Sequence, residues 1–306
     1  MNGVMLKLKA LVVLSLLNLL TLTVGAEEAE PVLTPAQQEV AAQEALDAFL
    51  GQFNWQTEGA GELGDWSMVE IPEGFLYLNG AEADTLMQGF GNLPGEYEGM
   101  ISAKNVEWFV IFQFEETGYV KDDEKDELDA AALLSQLKAD EVEVNEYRKE
   151  NGYSELHTVG WSVEPKYNEM TNNLEWGLLL RSEDGSESIN YKTKLLGRHG
   201  IMNVTLVCDP GSLQSILPAY QSILTGHQYQ TGESYAEFKQ GDKIAEYGLT
   251  ALIVGGAAYG AAKLGLLGNL VLFFKKGAKL IIAAIVAIGV GIKKFFSKMT
   301  GGDLPK

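Results

Sequence analysis

The chain has 306 residues, with 42 Asp and Glu against 23 Lys and Arg and a formal net charge of −19 at pH 7. That balance excludes nucleic acid as a partner, because an acidic surface repels phosphate backbones. The lone cysteine, Cys208, excludes an intrachain disulfide, and its setting in Val204-Thr205-Leu206-Val207-Cys208 reads as a buried strand residue rather than a reactive thiol.

In chain order, Lys7 and Lys9 precede the apolar run ALVVLSLLNLLTLTV, which closes on Val24-Gly25-Ala26 ahead of Glu27-Glu28. A basic start, a short apolar stretch and small residues at a cleavage point are the features of a secretory signal peptide over residues 1–26. Cleaved or retained as an anchor, it exports residues 27–244. This exported part carries 13 basic and 40 acidic residues, whereas residues 245–306 carry 8 Lys and 2 acids.

Thr34-Pro35 reads as an N-cap followed by proline at the first helical position, opening a helix over 37–50 that Gly51 ends. Short strands are expected at 53–56, 63–71 and 75–78, then a brief helix over 81–90. A hairpin follows at 98–102 and 106–114 around Lys104-Asn105. The strongest helical stretch is 125–151, with Leu128, Ala131, Leu134 and Leu137 at helical spacing. Next comes a meander of four strands, 157–164, 174–181, 188–196 and 201–208, and a last helical region over 213–229. Within it, Leu174, Trp176, Leu178 and Leu180 alternate with polar residues, as a half-buried strand requires. Pro165 is expected to end the first meander strand, with Asn168, Asn172 and Asn173 in the turn and Trp161 facing Trp176 across the hairpin.

Residues 249–274 and 278–292 are nearly continuous apolar segments separated by a turn holding Lys275, Lys276 and Lys279. Two membrane helices fit this pattern, with the basic turn on the cytoplasmic side and the N-terminal domain periplasmic at a bacterial inner membrane. The basic tail argues for the alternative, in which the second segment lies in the interface. Gly256 and Gly260 form a small-residue stripe suited to close helix packing or a homodimer through the anchor, and Lys263 is a snorkelling or partner-paired charge. The expected fold class is therefore α+β, an antiparallel sheet with flanking helices, followed by a C-terminal two-helix transmembrane anchor (residues 245–306).

One resemblance is carried by named residues: Pro72-Glu73-Gly74-Phe75, Gly118-Tyr119-Val120-Lys121-Asp122-Asp123, Asn145-Glu146-Tyr147-Arg148, Gly160-Trp161, Pro165 with Tyr167, Leu196-Gly197-Arg198 and Ala245-Glu246-Tyr247-Gly248-Leu249. This succession resembles the bacterial domain-of-unknown-function family 2167, over most of the chain after the signal peptide. The resemblance implies a membrane-anchored layout and no assigned reaction. The family pattern places a histidine and an aspartate around the tyrosine of the 165–168 turn, where this chain has Lys166 and Asn168, so the best candidates for a metal ligand or general base there are absent.

No catalytic signature stands in the sequence. G-x-S-x-G, P-loop and dinucleotide fingerprints are missing, and His157, His199 and His227 are too scattered for a metal-ligand pattern. The run KDDEKDELD lacks the glycine and closing glutamate of an EF-hand loop, so its acids are expected at a helix N-terminus, with a weak calcium-sensing surface as the alternative. Arg198, one of three arginines, is suited either to a structural salt bridge or to a ligand carboxylate. No cofactor is expected. The reading favoured is a non-enzymatic envelope protein that contacts membrane lipids and an envelope protein partner, with Trp161, Tyr167, Arg198, Asp122 and Asp123 as the candidate interaction residues. The alternative is an envelope hydrolase using Asp122, Asp123 or Glu164 near the Tyr167 turn, in a deep cleft with raised carboxyl pKa values.

Overall fold

The computed structural model describes residues 35–104 and 106–255. The signal peptide, Gly256, Gly260, Lys263, the second apolar segment and the basic tail lie outside the described residues. Among the described residues no helix is long and apolar enough to cross a membrane.

The alternating segments form ten strands: β1 (Ala60–Leu63), β2 (Ser67–Glu70), β3 (Phe75–Asn79), β4 (Gly99–Ala103), β5 (Phe109–Glu115), β6 (Leu156–Asn168), β7 (Asn173–Ser182), β8 (Glu187–Leu196), β9 (Ile201–Cys208) and β10 (His227–Tyr229). Five α-helices accompany them among the described residues: α1 (Pro35–Leu50), α2 (Gly80–Gly89), α3 (Ala130–Glu150), α4 (Leu213–Gly226) and α5 (Leu249–Val254). Seven strands make one antiparallel sheet in the order β3-β4-β5-β9-β8-β7-β6, and β1-β2-β10 make a small second sheet. The fold is α+β, as the pattern of elements requires.

Each face of the large sheet buries its own apolar set. On one face Tyr77, Ile101, Val110, Tyr191 and Leu206 pack with Ile216, Tyr220 and Ile223 of α4 and with Leu63 and Val69 of the small sheet. The other face carries two clusters. Ala83, Leu86 and Met87 of α2 cover Leu78, Met100 and Ile111, while Leu133 of α3 and Leu249, Leu252 and Ile253 of α5 cover Leu174, Trp176 and Leu178.

Several expectations are corrected by the tertiary arrangement. The stretch 53–56 forms only a bridge, Gln56 to Tyr77, and 63–71 is a hairpin rather than one strand, because Gly64 at φ 59 opens a turn that brings Trp66 onto Phe114 at 4.3 Å. Helix α3 begins five residues later than expected, since Asp129 caps it by accepting from Ala131 and Ala132 at 3.0 Å each. Strand β6 runs through Pro165 to Asn168. It lies at the sheet edge with a register shift between Val163 and Lys166, so the missing proline N–H breaks no ladder bond. Trp161 stands opposite Leu178 rather than Trp176. The end of the last predicted helix is instead strand β10, which extends the small sheet.

Helix α3 shields the β6 edge. Asn145 donates to the Leu156 carbonyl at 2.9 Å and accepts from its N–H at 3.0 Å, Glu141 accepts from Thr158 at 2.8 Å, and Lys138 donates to Val159 at 3.0 Å. Side chains thus satisfy the open groups that would otherwise template another strand.

Candidate functional site

Four of the five interaction residues singled out from the sequence, Tyr167, Asp122, Trp161 and Arg198, tie distant segments together through hydrogen bonds. Tyr167, near the end of β6, donates to Asp122 Oδ2 at 3.0 Å, joining the hairpin to the acidic run 45 positions earlier. Asp123, next to it, is exposed. Trp161 donates its indole N–H to the Ala130 carbonyl at 2.9 Å, which fastens β6 to the start of α3. Arg198 is gripped on two sides by Asp242, with Nε to Oδ2 at 2.7 Å and Nη2 to Oδ1 at 2.8 Å, and donates a third bond to Gly232 at 3.1 Å. Its guanidinium is half of a structural fork.

Half of the carboxylates of the acidic run are engaged in hydrogen bonds. Besides Asp122 and Asp129, Glu124 accepts from the Thr250 N–H at 2.9 Å at the start of α5, and Lys125 pairs with Glu169 at 3.1 Å. Among the described residues no three His, Cys, Asp or Glu side chains converge as metal ligands.

Around these residues the 235–254 segment is clasped to the sheet. Tyr119 stacks on Tyr235 at 4.4 Å and meets Phe238 in a tilted pair at 4.3 Å, and Tyr119 and Lys243–Ala245 exchange backbone bonds of 2.8 and 2.9 Å. Tyr235 donates to the Val120 carbonyl at 3.0 Å, and Tyr247 donates to Glu115 at 2.8 Å. Burial pushes the phenols of Tyr167, Tyr235 and Tyr247 above the ordinary tyrosine value, with further upward contributions from Asp122, Tyr119 and Glu115 respectively. They are hydrogen-bond donors in a fastening, not proton acceptors.

A cleft of about 610 Å³ lies elsewhere, lined by Gln56, Glu62, Asp65, Tyr77, Tyr97 and Glu98 among others. None of Asp122, Asp123, Glu164 and Tyr167 lines it. Burial raises the Glu98 carboxyl, with Asp65 and Glu96 adding to the shift, and burial pushes both Tyr77 and Tyr97 up to about 12. Sequence reasoning missed this cleft because its residues come from β1, the β1–β2 turn, β3 and the β4 approach, which only the small sheet brings together.

These features define an acidic α+β protein in which an antiparallel sheet is fastened to the beginning of a long apolar run. The chain belongs to the DUF2167 family, described as proteins of unknown function, whose model matches residues 56–289. Among solved structures it is similar to the solution structure of cyanobacterial PsbP (CyanoP) from Synechocystis sp. PCC 6803, at 9% sequence identity and a TM-score of 0.34, covering 68% of this chain and 99% of that one. No curated protein matches it.

Proposed function

We propose that the protein is a membrane-anchored, non-catalytic interaction module of the bacterial envelope, its acidic domain facing the periplasm and binding another envelope protein. The observation that supports this most is the burial of Leu249, Leu252 and Ile253 in the domain's own core. The apolar run of residues 249–274 has 26 residues, more than a single crossing needs. With the six residues of α5 assigned to the domain, 26 − 6 = 20 remain, about 30 Å as a helix, which matches the hydrocarbon thickness. On this reading the domain stands directly on the membrane surface without a linker, and Lys275, Lys276 and Lys279 stay cytoplasmic.

Reporter fusions after Gly241, Lys276 and Lys306 test the layout, using one tag active outside the cytoplasm and one active inside. Gly241 outside and Lys276 inside support it; Gly241 inside sinks it. The Lys306 fusion decides whether the second apolar segment crosses.

A hydrolase reading is favoured by one observation, the raised Glu98 carboxyl beside Asp65 in the cleft, an arrangement suited to a general acid. It requires Glu98→Gln to abolish turnover of an envelope glycan without changing the melting temperature. Unchanged turnover removes it.

A further inference from the structure

The large-sheet face beneath α2 and α3 has a polar middle. Cross-strand partners place Leu78, Met100, Ile111, Thr205, Lys192 and Trp176 in one row, and Gln113, Asn203, Lys194, Leu174 and Tyr167 in the next. The β3–β5 end of the first row is apolar under α2, and the β7 end of both rows is apolar under α3 and α5. Between them β8 and β9 present lysine, asparagine and threonine.

Strand alternation forces the two lysines together. Ile189, Tyr191, Thr193 and Leu195 of β8 point into the opposite core, so Lys192 and Lys194 stand on the same face two residues apart, about 7 Å along the strand. Among the described residues neither forms a salt bridge, although Lys125, Lys149, Lys166, Arg181 and Arg198 all do. Lys194 donates to Asn203 Oδ1, and its ammonium lies 5.8 Å from the ring centre of Trp176. The Trp176 side chain is buried at 1% exposure, and its indole N–H has no hydrogen-bond partner among the described residues. Burial and the neighbouring Lys192 push the Lys194 amine down to about 7, with Glu115 opposing, and burial lowers Lys192 as well.

Two amines this close, beside a buried indole N–H without a partner, disfavour charging both unless something answers them. The groups here left without a protein partner among the described residues are donors: the buried Trp176 indole N–H and the partly exposed Lys192 ammonium. Because Asn203 spends its oxygen on Lys194, its amide nitrogen adds another. A cation or an apolar ligand would leave this set unanswered, whereas an oxyanion answers it at once. Lys192, Lys194, Asn203 and Thr205 keep partial exposure, so a ligand has access from solvent. The domain's overall negative charge disfavours a polyanion, which leaves a small one.

We propose that this polar middle is a binding site for a small oxyanion of the phosphate class, held by Lys192, Lys194 and the Asn203 amide beside the buried Trp176 ring. The site is independent of the membrane reading. A free phosphate and a lipid phosphomonoester share the chemistry, so two probes are needed: inorganic phosphate, and micelles doped with phosphatidic acid.

Full-length protein in detergent is melted with each probe, with acetate at matched ionic strength as a third arm. A melting temperature that rises with phosphate or phosphatidic acid, and not with acetate, supports the site; phosphate alone identifies a soluble ligand and phosphatidic acid alone a headgroup. No rise with either phosphate probe, or an equal rise with acetate, overturns the assignment. Lys192→Met and Lys194→Met are each expected to weaken phosphate binding at least about tenfold by calorimetry while leaving the ligand-free protein as stable or more so. Lys194→Arg retains binding and serves should a methionine variant fail to fold. Undiminished binding in the folded Lys192→Met variant also overturns the proposal.

Discussion

His227 shows at the scale of one residue what burial does here. Its imidazole is pushed down to about 4, and its Nε2 has no hydrogen-bond partner among the described residues. The unfolded chain takes up that proton first, near its ordinary value of about 6.5. Stability is therefore full above that value and falls as pH drops toward 4. His227→Leu should flatten this decline in melts recorded from pH 7.5 to pH 4, and an unchanged slope would assign it to other groups. Asp242 acts in a lower window. Arg198, hydrogen-bonded to it, holds its carboxyl well below the usual range, so its contribution is present above an ordinary carboxylate value of about 3.9 and is lost as pH falls through the depressed one. Asp242→Asn should lower the melting temperature at pH 7 and make little difference in strong acid. The buried reading of Cys208 carries its own check: burial pushes the thiol up to about 12, so a thiol reagent should label it only after denaturation.

Helix α3 and strand β6 form the element-level joint of the molecule. Asn145 is 7% exposed and meets both backbone groups of Leu156, so Asn145→Leu should cost about 1–3 kcal/mol in urea unfolding by leaving those groups unanswered. Lys138→Ala, at an exposed position, should stay within about 0.5 kcal/mol. Most of this joint was legible in the sequence as a long helix followed by an alternating strand. Its boundaries were not, because Asp129 outcompeted the earlier acids as the cap and an edge position tolerated Pro165 inside β6.

For the molecule as a whole, the decisive feature is the fastening of residues 235–254 to the sheet. Leu252 is 1% exposed among residues of α3 and β7, so Leu252→Ala should destabilise the domain by about 2–5 kcal/mol in the full chain. A loss under about 0.5 kcal/mol would mean that α5 adds nothing to the core. Tyr167, Asp122, Trp161 and Arg198 each take part in a hydrogen bond between distant segments, and the cleft lies at the β1–β2 corner.

Local pattern was sufficient for what depends on neighbours along the chain: strand alternation in the meander, the acidic balance, the apolar runs and the α+β class. Contacts between distant segments decided the rest. The pairing of β5 with β9, which inserts a late strand beside an early one, the small sheet closed by β10, and the union of the Lys192–Lys194 pair with Asn203 and Trp176 all join groups on different strands. Cross-strand register creates those neighbours, and periodicity along one strand carries no information about which strand will lie beside it.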